Sequence, residues 1–540
     1  MKKILKMFYR MMAFSGAWIA PILYYMSGRL IPSASVKSKT VISLAGMLWI
    51  LFNNTWSVVC EGKKVSEICV GDGLILDTGL KKESAQKRIA TYPKVPAELC
   101  SRKPEGVILG NYKEQYVRIP KSQIYHYCVI GGSGSGKTST VILDTMLANF
   151  AASDNELLTF CIDIKGEIHE KSTRRYDANV LVVNPSDRTT TGWDAWYRLH
   201  DNPSDDLIVE SMEEIAEALI VSSNPKDRFF VVNARTMFTG LMVYYFKQGE
   251  SFIDAVNHIL ESDLKSLFAE IIKDSSKTDL WYPLLSKFVG KDAESVEDCI
   301  VEVTTNLSVF SKSDVKFCFR DNVQKASPHS FKENKSIFLA IPEHLLESYQ
   351  SILRLCTAQT LQELQRRQDG AEQKPILVLI DEFARLGRIE TIFNALATLR
   401  SKKVMLLLAY QSMAQIEVIY SREEARVIAD NCRVKMICEC SDPQTSKDIS
   451  EWCGKYRDKK ETLNSGKGYH KSYTYEDRAI VEANDLLTLV KKEEVILVIS
   501  GTGYLRLKKC YYFKDKALSA LAEQVRAYNL QTISPANKCQ

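Results

Sequence analysis

The stretch QIYHYCVIGGSGSGKTST, Gln123–Thr140, constrains this chain more than any other part of the sequence. An apolar, strand-like segment runs into a glycine-rich loop, and helix-like sequence follows. Gly131, Gly136, Lys137 and Thr138 satisfy the pattern G-x-x-x-x-G-K-[ST] of a phosphate-binding loop. A chance glycine turn is the alternative, but the strand before the loop and the helix after it favour a phosphate site.

Each residue type in this pattern has a physical task. Glycine lets the backbone wrap closely around a phosphate, and the loop N–H groups with the following helix N-terminus supply positive charge. We expect Lys137 to reach the β- and γ-phosphates and the Thr138 hydroxyl to ligate Mg²⁺, so the predicted cofactors are ATP and Mg²⁺. The predicted nucleotide-binding residues are Gly131, Gly132, Ser133, Gly134, Ser135, Gly136, Lys137, Thr138 and Ser139.

Composition sets only broad limits. A chain of 540 residues is too long for one core and predicts two or three domains. The 71 basic and 66 acidic residues give a net charge of +5, too small to indicate a nucleic-acid partner by itself. None of the 14 cysteines forms a C-x-x-C pair. Zinc binding at Cys438 and Cys440 is the weaker alternative to buried, reduced thiols.

Two apolar runs near the N-terminus predict membrane-spanning helices. Met11–Ser27 and Thr40–Val59 each have the length that a bilayer span needs, roughly 17–25 residues. A cleaved signal peptide is the alternative for the first run. Because a phosphate loop must face ATP in the cytosol, two spans place both termini and the ATPase body in the cytoplasm, with only Gly28–Lys39 outside. This predicts a multi-pass membrane protein.

The rest of the chain alternates between strand-like and helix-like sequence. Gly106–Pro120 predicts two short strands across an Asn-containing turn. Leu157–Asp163 and Val180–Val183 predict further buried strands, separated by helix-length segments as in parallel βαβ units. The predicted fold is therefore α/β, with these parts: an anchor of two transmembrane helices (1–60), a juxtamembrane connector (61–104), the first part of a nucleotide-binding domain (105–201), an all-helical insert (202–331), the second part of the nucleotide-binding domain (332–515) and a C-terminal tail (516–540).

A second group of polar residues follows two later strands. Asp381 and Glu382 end the aliphatic run Ile376–Ile380, where open α/β sheets place their ligands. In a phosphate-loop ATPase the first acid holds Mg²⁺ and the next can orient the attacking water. Gln411 ends the next strand and is expected to sense the γ-phosphate, with a polar strand-end cap as the alternative. Arg400 is either a helix C-terminal cation or an arginine finger for a neighbouring subunit's ATP.

These residues carry a family resemblance. The blocks GGSGSGKTST, DIKGE, LIDEFARLGRIETIFNALATLR and LLLAYQSMAQIEVIY, in this order after two N-terminal spans, resemble the coupling proteins of type IV secretion systems, the TraG/TraD-type conjugation ATPases. The similarity covers roughly residues 105–515. It departs from the family at TGWDAWYRL, where an Asn-Pro-Leu triplet is usual, so the role of that loop is open.

The resemblance implies a RecA-like P-loop domain interrupted by an all-α domain. It further implies a homohexameric ring at the inner membrane that delivers a relaxase-bound single DNA strand to the type IV secretion inner-membrane channel components by ATP hydrolysis. Transferred position by position, it gives Lys137 and Thr138 as nucleotide and Mg²⁺ ligands, Asp381 and Glu382 as the acidic pair, Gln411 as the sensor and Arg400 as the finger.

Two alternatives to a DNA motor stay open. One is a substrate receptor that uses nucleotide only as an assembly switch, and the other is an FtsK-like double-stranded DNA translocase. A possible DNA contact lies in Lys455–Lys471, which combines six basic and two acidic side chains with Tyr456 and Tyr469. Basic charge with aromatic platforms suits single-strand binding, although a solvated loop is the simpler interpretation.

Overall fold

The structure is a computed structural model. It describes residues 95–531, apart from 152–155, 175–176, 222–227, 291–292, 322, 371 and 467. The two predicted membrane spans and most of the predicted connector lie outside these residues. Within the described part, no helix is long and apolar enough to cross a membrane.

Short aliphatic runs form the strands of a mixed β-sheet. The run Ile376–Ile380 is buried along its whole length, as expected of a strand with both sheet faces covered. The strands are β1 (Cys100–Ser101), β2 (Val107–Tyr112), β3 (Gln115–Ile119), β4 (Tyr127–Ile130), β5 (Leu158–Asp163), β6 (Val180–Val183), β7 (Gly192–Trp193), β8 (Lys325–Ala326), β9 (Ser336–Ala340), β10 (Ile376–Ile380), β11 (Val404–Tyr410), β12 (Val434–Ile437), β13 (Lys455–Gly466), β14 (Gly468–Ala479), β15 (Glu494–Ile499) and β16 (Gly503–Lys508).

Helices connect these strands. The first, α1, follows the glycine loop and consists of the consecutive segments Thr138–Ile142, Leu143–Met146 and Leu147–Ala151, of which the outer two are π-helical. The others are α2 (Glu167–Ser172), α3 (Asp205–Leu219), α4 (Arg228–Lys247), α5 (Phe252–Glu261), α6 (Leu264–Asp274), α7 (Tyr282–Leu285), α8 (Ala293–Leu307), α9 (Ser313–Cys318), α10 (Gln350–Gln365), α11 (Ile392–Thr398), α12 (Met413–Ile419), α13 (Arg422–Asn431), α14 (Pro443–Cys453), α15 (Ala483–Leu486), α16 (Leu489–Lys492) and α17 (Lys516–Gln531).

Within the described residues, twelve strands share one sheet in the order β1-β3-β2-β16-β15-β12-β4-β11-β10-β5-β9-β6. The strands from β12 to β6 in this order run parallel, so their carboxyl ends meet at one edge of the sheet. The strand β11 lies between β4 and β10 and pairs with both. The segments that follow β4, β10 and β11 therefore emerge side by side.

The other five strands of this sheet, β1, β2, β3, β15 and β16, pair in antiparallel fashion. The predicted hairpin is present as β2 and β3, but the expectation of an Asn-containing turn is wrong. The turn is Lys113-Glu114, and both residues have positive φ, of 49° and 61°. A two-residue turn with two positive φ angles matches the twist of the flanking strands, whereas Asn111 is used within β2, opposite Tyr116.

A helical segment interrupts the α/β part between β7 and β8. These two short strands pair in parallel, Gly192 with Lys325 and Trp193 with Ala326, so the chain enters and leaves the helices α3 to α9 side by side. The Trp193 indole N–H donates to Gln359 Oε1 on α10 at 2.8 Å, and Gln359 Nε2 donates to the Ala195 carbonyl at 2.7 Å. The boundaries 202–331 for a separate domain stay a prediction.

Two apolar clusters cover the two faces of the sheet. Alternate residues of β10 divide between them: Ile376, Val378 and Ile380 face one cluster, and Leu377 and Leu379 face the other. The first cluster continues without a break through α10 into the helices α3 to α9. The described cysteines carry free thiols, all but Cys100 buried, and no three or more His, Cys, Asp or Glu side chains of the described residues are grouped to hold a metal ion by themselves.

The interpretation of the basic segment 455–471 as a loop is wrong. It belongs to a two-stranded antiparallel ribbon, β13 and β14, whose register runs from Lys455 opposite Ala479 to Gly466 opposite Gly468. Twelve residues in each strand give the ribbon a length of about 40 Å. The charge pattern alone did not reveal this pairing.

Candidate functional site

The glycine loop lies at the carboxyl edge of the parallel strands, directly after β4. Its first residue, Gly131, donates its N–H to the Tyr410 carbonyl at the end of β11 at 3.1 Å. A Cβ atom at Gly131 would lie only 2.4 Å from Ser135 Oγ, so the loop closes on itself too tightly for a larger residue. Lys137 is 5% exposed, and its Nζ donates to the Gly131 carbonyl at 2.6 Å. The Lys137 side chain therefore reaches back across the glycine loop to its first residue.

The first acid of the predicted pair lies against the start of α1. The Thr138 hydroxyl donates to Asp381 Oδ2 across a long hydrogen bond of 3.4 Å. The second oxygen, Asp381 Oδ1, is buried and has no hydrogen-bond partner. Burial, and then the neighbouring Glu382 charge, raise the pKa of Asp381 to about 6. An unpaired carboxylate oxygen beside a hydroxyl is the oxygen donor set that Mg²⁺ prefers, so these residues fit the cation.

The second acid occupies a strained backbone position. Glu382 has a φ of 59°, in the left-handed region that residues other than glycine rarely adopt. One carboxylate oxygen, Oε1, lies 3.9 Å from Lys137 Nζ, and Gln411 Nε2 donates to the other, Oε2, at 3.4 Å. Such strain costs of order 1–3 kcal/mol and tends to occur at functional sites. The acid therefore sits between the loop lysine and the amide at the end of β11.

A third acid, which is buried, lies one strand further along the same edge. Asp163, the last residue of β5, is 1% exposed and accepts hydrogen bonds from both the backbone N–H and Nδ1 of His169, each at 2.9 Å. Its charge contributes to the raised pKa of Asp381. The site prediction omitted both residues, although an acid at the end of the buried run Leu157–Asp163 was a usable signal.

A buried lysine from a distant part of the sequence hydrogen-bonds to the glycine loop. Lys509, which follows β16, is 6% exposed, and its Nζ donates to the Ser135 carbonyl at 2.7 Å and to the Cys438 carbonyl at 3.0 Å. Burial lowers its pKa. Sequence reasoning missed Lys509 because a lone lysine after a strand carries no local pattern.

Arg400 lies at the opposite edge of the sheet. It is exposed in the short helical turn Leu399–Lys402, which precedes β11, whereas the phosphate loop follows the carboxyl end of β4. After burial, its charge is the next cause that lowers the pKa of His126, just before β4, to about 4. Seven residues of β11 separate the two edges by about 20 Å. Arg400 therefore cannot reach the loop of its own chain.

The loop, Asp381, Glu382 and Gln411 thus converge, while Arg400 stands apart from them. A family profile for type IV secretory system conjugative DNA transfer matches residues 79–534. The chain belongs to this family. The α/β fold with a phosphate loop that the resemblance to type IV secretion coupling proteins implied is present.

Individual members of the family are distant. The type IV secretion system-coupling protein VirD4 of Bartonella henselae is 23% identical over 427 residues, which cover 74% of this chain and 65% of that protein. The chain thus spans just under two thirds of the length of this relative.

Solved structures of the family share the fold. The unbound bacterial conjugative coupling protein TrwB has a TM-score of 0.62 at 13% identity, over 79% of this chain and 91% of that one. The plasmid coupling protein TrwB in complex with ADP and Mg²⁺ has a TM-score of 0.59 at 14% identity, over 81% and 93%. At this level of identity the likeness concerns the fold.

Proposed function

We propose that this coupling protein binds ATP and Mg²⁺ at the loop after β4 and hydrolyses ATP to drive DNA transfer. The observation that carries the proposal is the convergence of Thr138, Asp381, Glu382 and Gln411 at one sheet edge, through contacts of 3.4 Å. The complex of the similarly folded TrwB with ADP and Mg²⁺ supports it. The nucleotide-binding residues are those of the glycine loop, from Gly131 to Ser139.

Each side chain then has a task. The Thr138 hydroxyl and Asp381 would hold Mg²⁺, which would offset negative charge on the bound triphosphate. Lys137 exchanges the Gly131 carbonyl for a phosphate oxygen. Glu382, held by the Gln411 amide, orients the attacking water and takes its proton.

The motor requires a second subunit. Because Arg400 is exposed at the edge opposite its own loop, a ring that joins the two edges would bring it to the neighbouring subunit's γ-phosphate. We propose a homohexamer that is anchored in the inner membrane by residues 1–60, with both termini and the ATPase body in the cytoplasm. Its substrate is single-stranded DNA with its bound relaxase, which it hands to the type IV secretion inner-membrane channel components.

ATP binding and phosphate release by the full chain in detergent test the enzymatic part, with and without single-stranded DNA. Glu382→Gln should retain ATP binding and lose hydrolysis by about a hundredfold or more, because the water loses its proton acceptor. The exposed Glu270→Gln on α6 is the matched control and should hydrolyse ATP normally. ATP binding without hydrolysis in the unmodified chain, whatever DNA is present, would favour the substrate receptor. Preference for duplex DNA would favour the FtsK-like translocase.

Membrane anchoring has its own test. A full chain that carries a fluorescent protein at its C-terminus should remain with the membrane fraction of cells after a high-salt wash. The same fusion without residues 1–60 should appear in the soluble fraction. Equal membrane retention of both proteins would contradict the anchor. A periplasmic reporter fused at the C-terminus should be inactive if that terminus lies in the cytoplasm, and an active reporter would contradict the topology.

A further inference from the structure

An aromatic surface lies beside the glycine loop and has no part in the chemistry described so far. It is formed by Tyr511 and Phe513, in the segment between β16 and α17. A Cβ atom built on Gly136 would lie 3.6 Å from Tyr511 Cε1, so the tyrosine ring is in van der Waals range of the loop. Gly136 immediately precedes Lys137 and Thr138, the two residues proposed to hold the phosphates and Mg²⁺.

The second ring continues this surface towards solvent. The ring centroids of Tyr511 and Phe513 are 5.3 Å apart, with an angle of 46° between the rings. Phe513 is 54% exposed, which is unusual for a phenylalanine, so about half of this residue is accessible to a ligand, although its ring also meets Tyr512 edge to face. The Lys514 ammonium lies over the Tyr511 ring, 4.8 Å from its centre, and places a positive charge on that face of the ring.

The segment is held rigidly on both sides. Before it, the buried Lys509 is tied to the Ser135 carbonyl of the loop. After it, Asp515 Oδ1 accepts from the N–H groups of Ala517 and Leu518 at the start of α17, and from the Tyr116 hydroxyl at 2.6 Å. The backbone N–H groups of Lys514 and Asp515 both donate to the Tyr511 carbonyl, at 2.8 and 2.9 Å. The position of the rings is thus fixed relative to the loop.

We propose that Tyr511 and Phe513 form the platform for the nucleobase of the bound nucleoside triphosphate. When the phosphates lie in the glycine loop, the ribose and base must leave it on one side, and this aromatic surface begins beside Gly136. Every base offers a π-face to an aromatic ring, so the platform binds the base by stacking. The inference rests on the proposed function, because it requires the phosphates to occupy the loop.

The test compares two ligands that share the phosphate chain. Calorimetric titration of the full chain with ATP and with inorganic tripolyphosphate, each with Mg²⁺, separates the contribution of the base from that of the phosphates. Tyr511→Ala should weaken ATP binding about tenfold and leave tripolyphosphate binding unchanged, whereas Tyr511→Phe should keep both affinities. Phe513→Ala changes an exposed ring and should also weaken ATP binding alone. Tyr528→Ala on α17 is the matched control and should bind both ligands normally.

The outcomes show separately whether the proposed base platform fails and whether the proposed phosphate site fails. If Tyr511→Ala and Phe513→Ala both keep the ATP affinity of the unmodified chain, the platform is overturned while the phosphate site stands. Equal losses for ATP and tripolyphosphate in Tyr511→Ala would also overturn it, because the ring would then only support the loop. If the unmodified chain binds neither ligand, the proposed function itself fails. Lys137→Ala should abolish binding of both ligands. The size of this loss is the reference for a defect at the phosphate site.

Discussion

The side-chain amide of Gln411 donates to Glu382 Oε2 at 3.4 Å and thereby links the end of β11 to the end of β10. Because β11 also lies against β4, the strand that carries the glycine loop, one strand connects both halves of the site. A shift of Glu382 on loss of the γ-phosphate would therefore be transmitted to Gln411 and to the helix α12 that follows it.

Replacing this amide should slow hydrolysis without removing the nucleotide. We expect Gln411→Ala to lower the ATP hydrolysis rate about a hundredfold, because Glu382 loses the donor that orients it, and to change ATP affinity little. Single-turnover phosphate release and equilibrium binding measure the two effects. Gln444→Ala, on an exposed position of α14, is the control. A proportional loss of binding and hydrolysis in Gln411→Ala would contradict this role.

Protonation of Asp381 should compete with Mg²⁺. With a pKa of about 6, most of the carboxylate is ionised at pH 7.5 and about a quarter at pH 5.5, so the Mg²⁺-dependent gain in ATP affinity should fall about fourfold between these values. Titrations with and without Mg²⁺ at both pH values measure this gain. Asp381→Asn should abolish the gain at both, and a gain that stays constant down to pH 5.5 would rule out Asp381 as the ligand.

The raised pKa of Asp381 also affects stability. Its effect is opposite to that of a carboxylate whose pKa is lowered on folding. The folded chain binds the proton more tightly than the unfolded chain, so ionised Asp381 lowers the free energy of unfolding above pH 6, and this cost disappears as the pH falls from about 6 to 3.8. Asp381→Asn should therefore raise the melting temperature of the ligand-free chain at pH 7.5. A lower melting temperature in a thermal scan would argue against the cost of burying this charge.

Mixing two inactive variants tests whether Arg400 acts on the neighbouring subunit. Arg400→Ala should bind ATP and hydrolyse it poorly, and Lys137→Ala should do neither. In a mixed ring, some interfaces combine an intact loop from the first variant with an intact arginine from the second, so hydrolysis should reappear on mixing. Arg426→Ala, at another exposed arginine, should be active alone. Mixtures no more active than the separate variants would contradict action in trans.

The ribbon β13–β14 can be shortened without disturbing its base. Joining Lys459 to Tyr475, which face each other in the register, through an Asn-Gly turn removes residues 460–474 and keeps the lower pairs. If the ribbon contacts DNA, single-strand affinity and DNA-stimulated hydrolysis should fall at least several-fold, because basic and aromatic residues are lost together. Hydrolysis without DNA and the melting temperature serve as controls. Unchanged affinity for single-stranded DNA in a filter-binding assay would remove the ribbon from the DNA path.

Residues whose place in the fold follows from their neighbours in sequence were the predictable ones. The glycine loop was placed after a strand and before a helix, and Asp381, Glu382 and Gln411 at strand ends, because each carries a local pattern. Contacts between distant segments leave no such pattern. Lys509 and Ser135 meet only because β16 and β4 belong to the same sheet. The turn Lys113-Glu114 lacks glycine, so its positive φ angles follow from the hairpin register rather than from its residue types.

The hydrogen bond from Trp193 to Gln359 on α10 links the helices α3 to α9 to the rest of the protein, in addition to the chain connections at β7 and β8. The apolar cluster that covers one face of the sheet continues through α10 into these helices. Loosening the helices would expose the sheet face beneath, so the two parts should unfold cooperatively. Scanning calorimetry of the chain should then give a single heat-absorption peak for the described region, rather than a separate early peak for the helices.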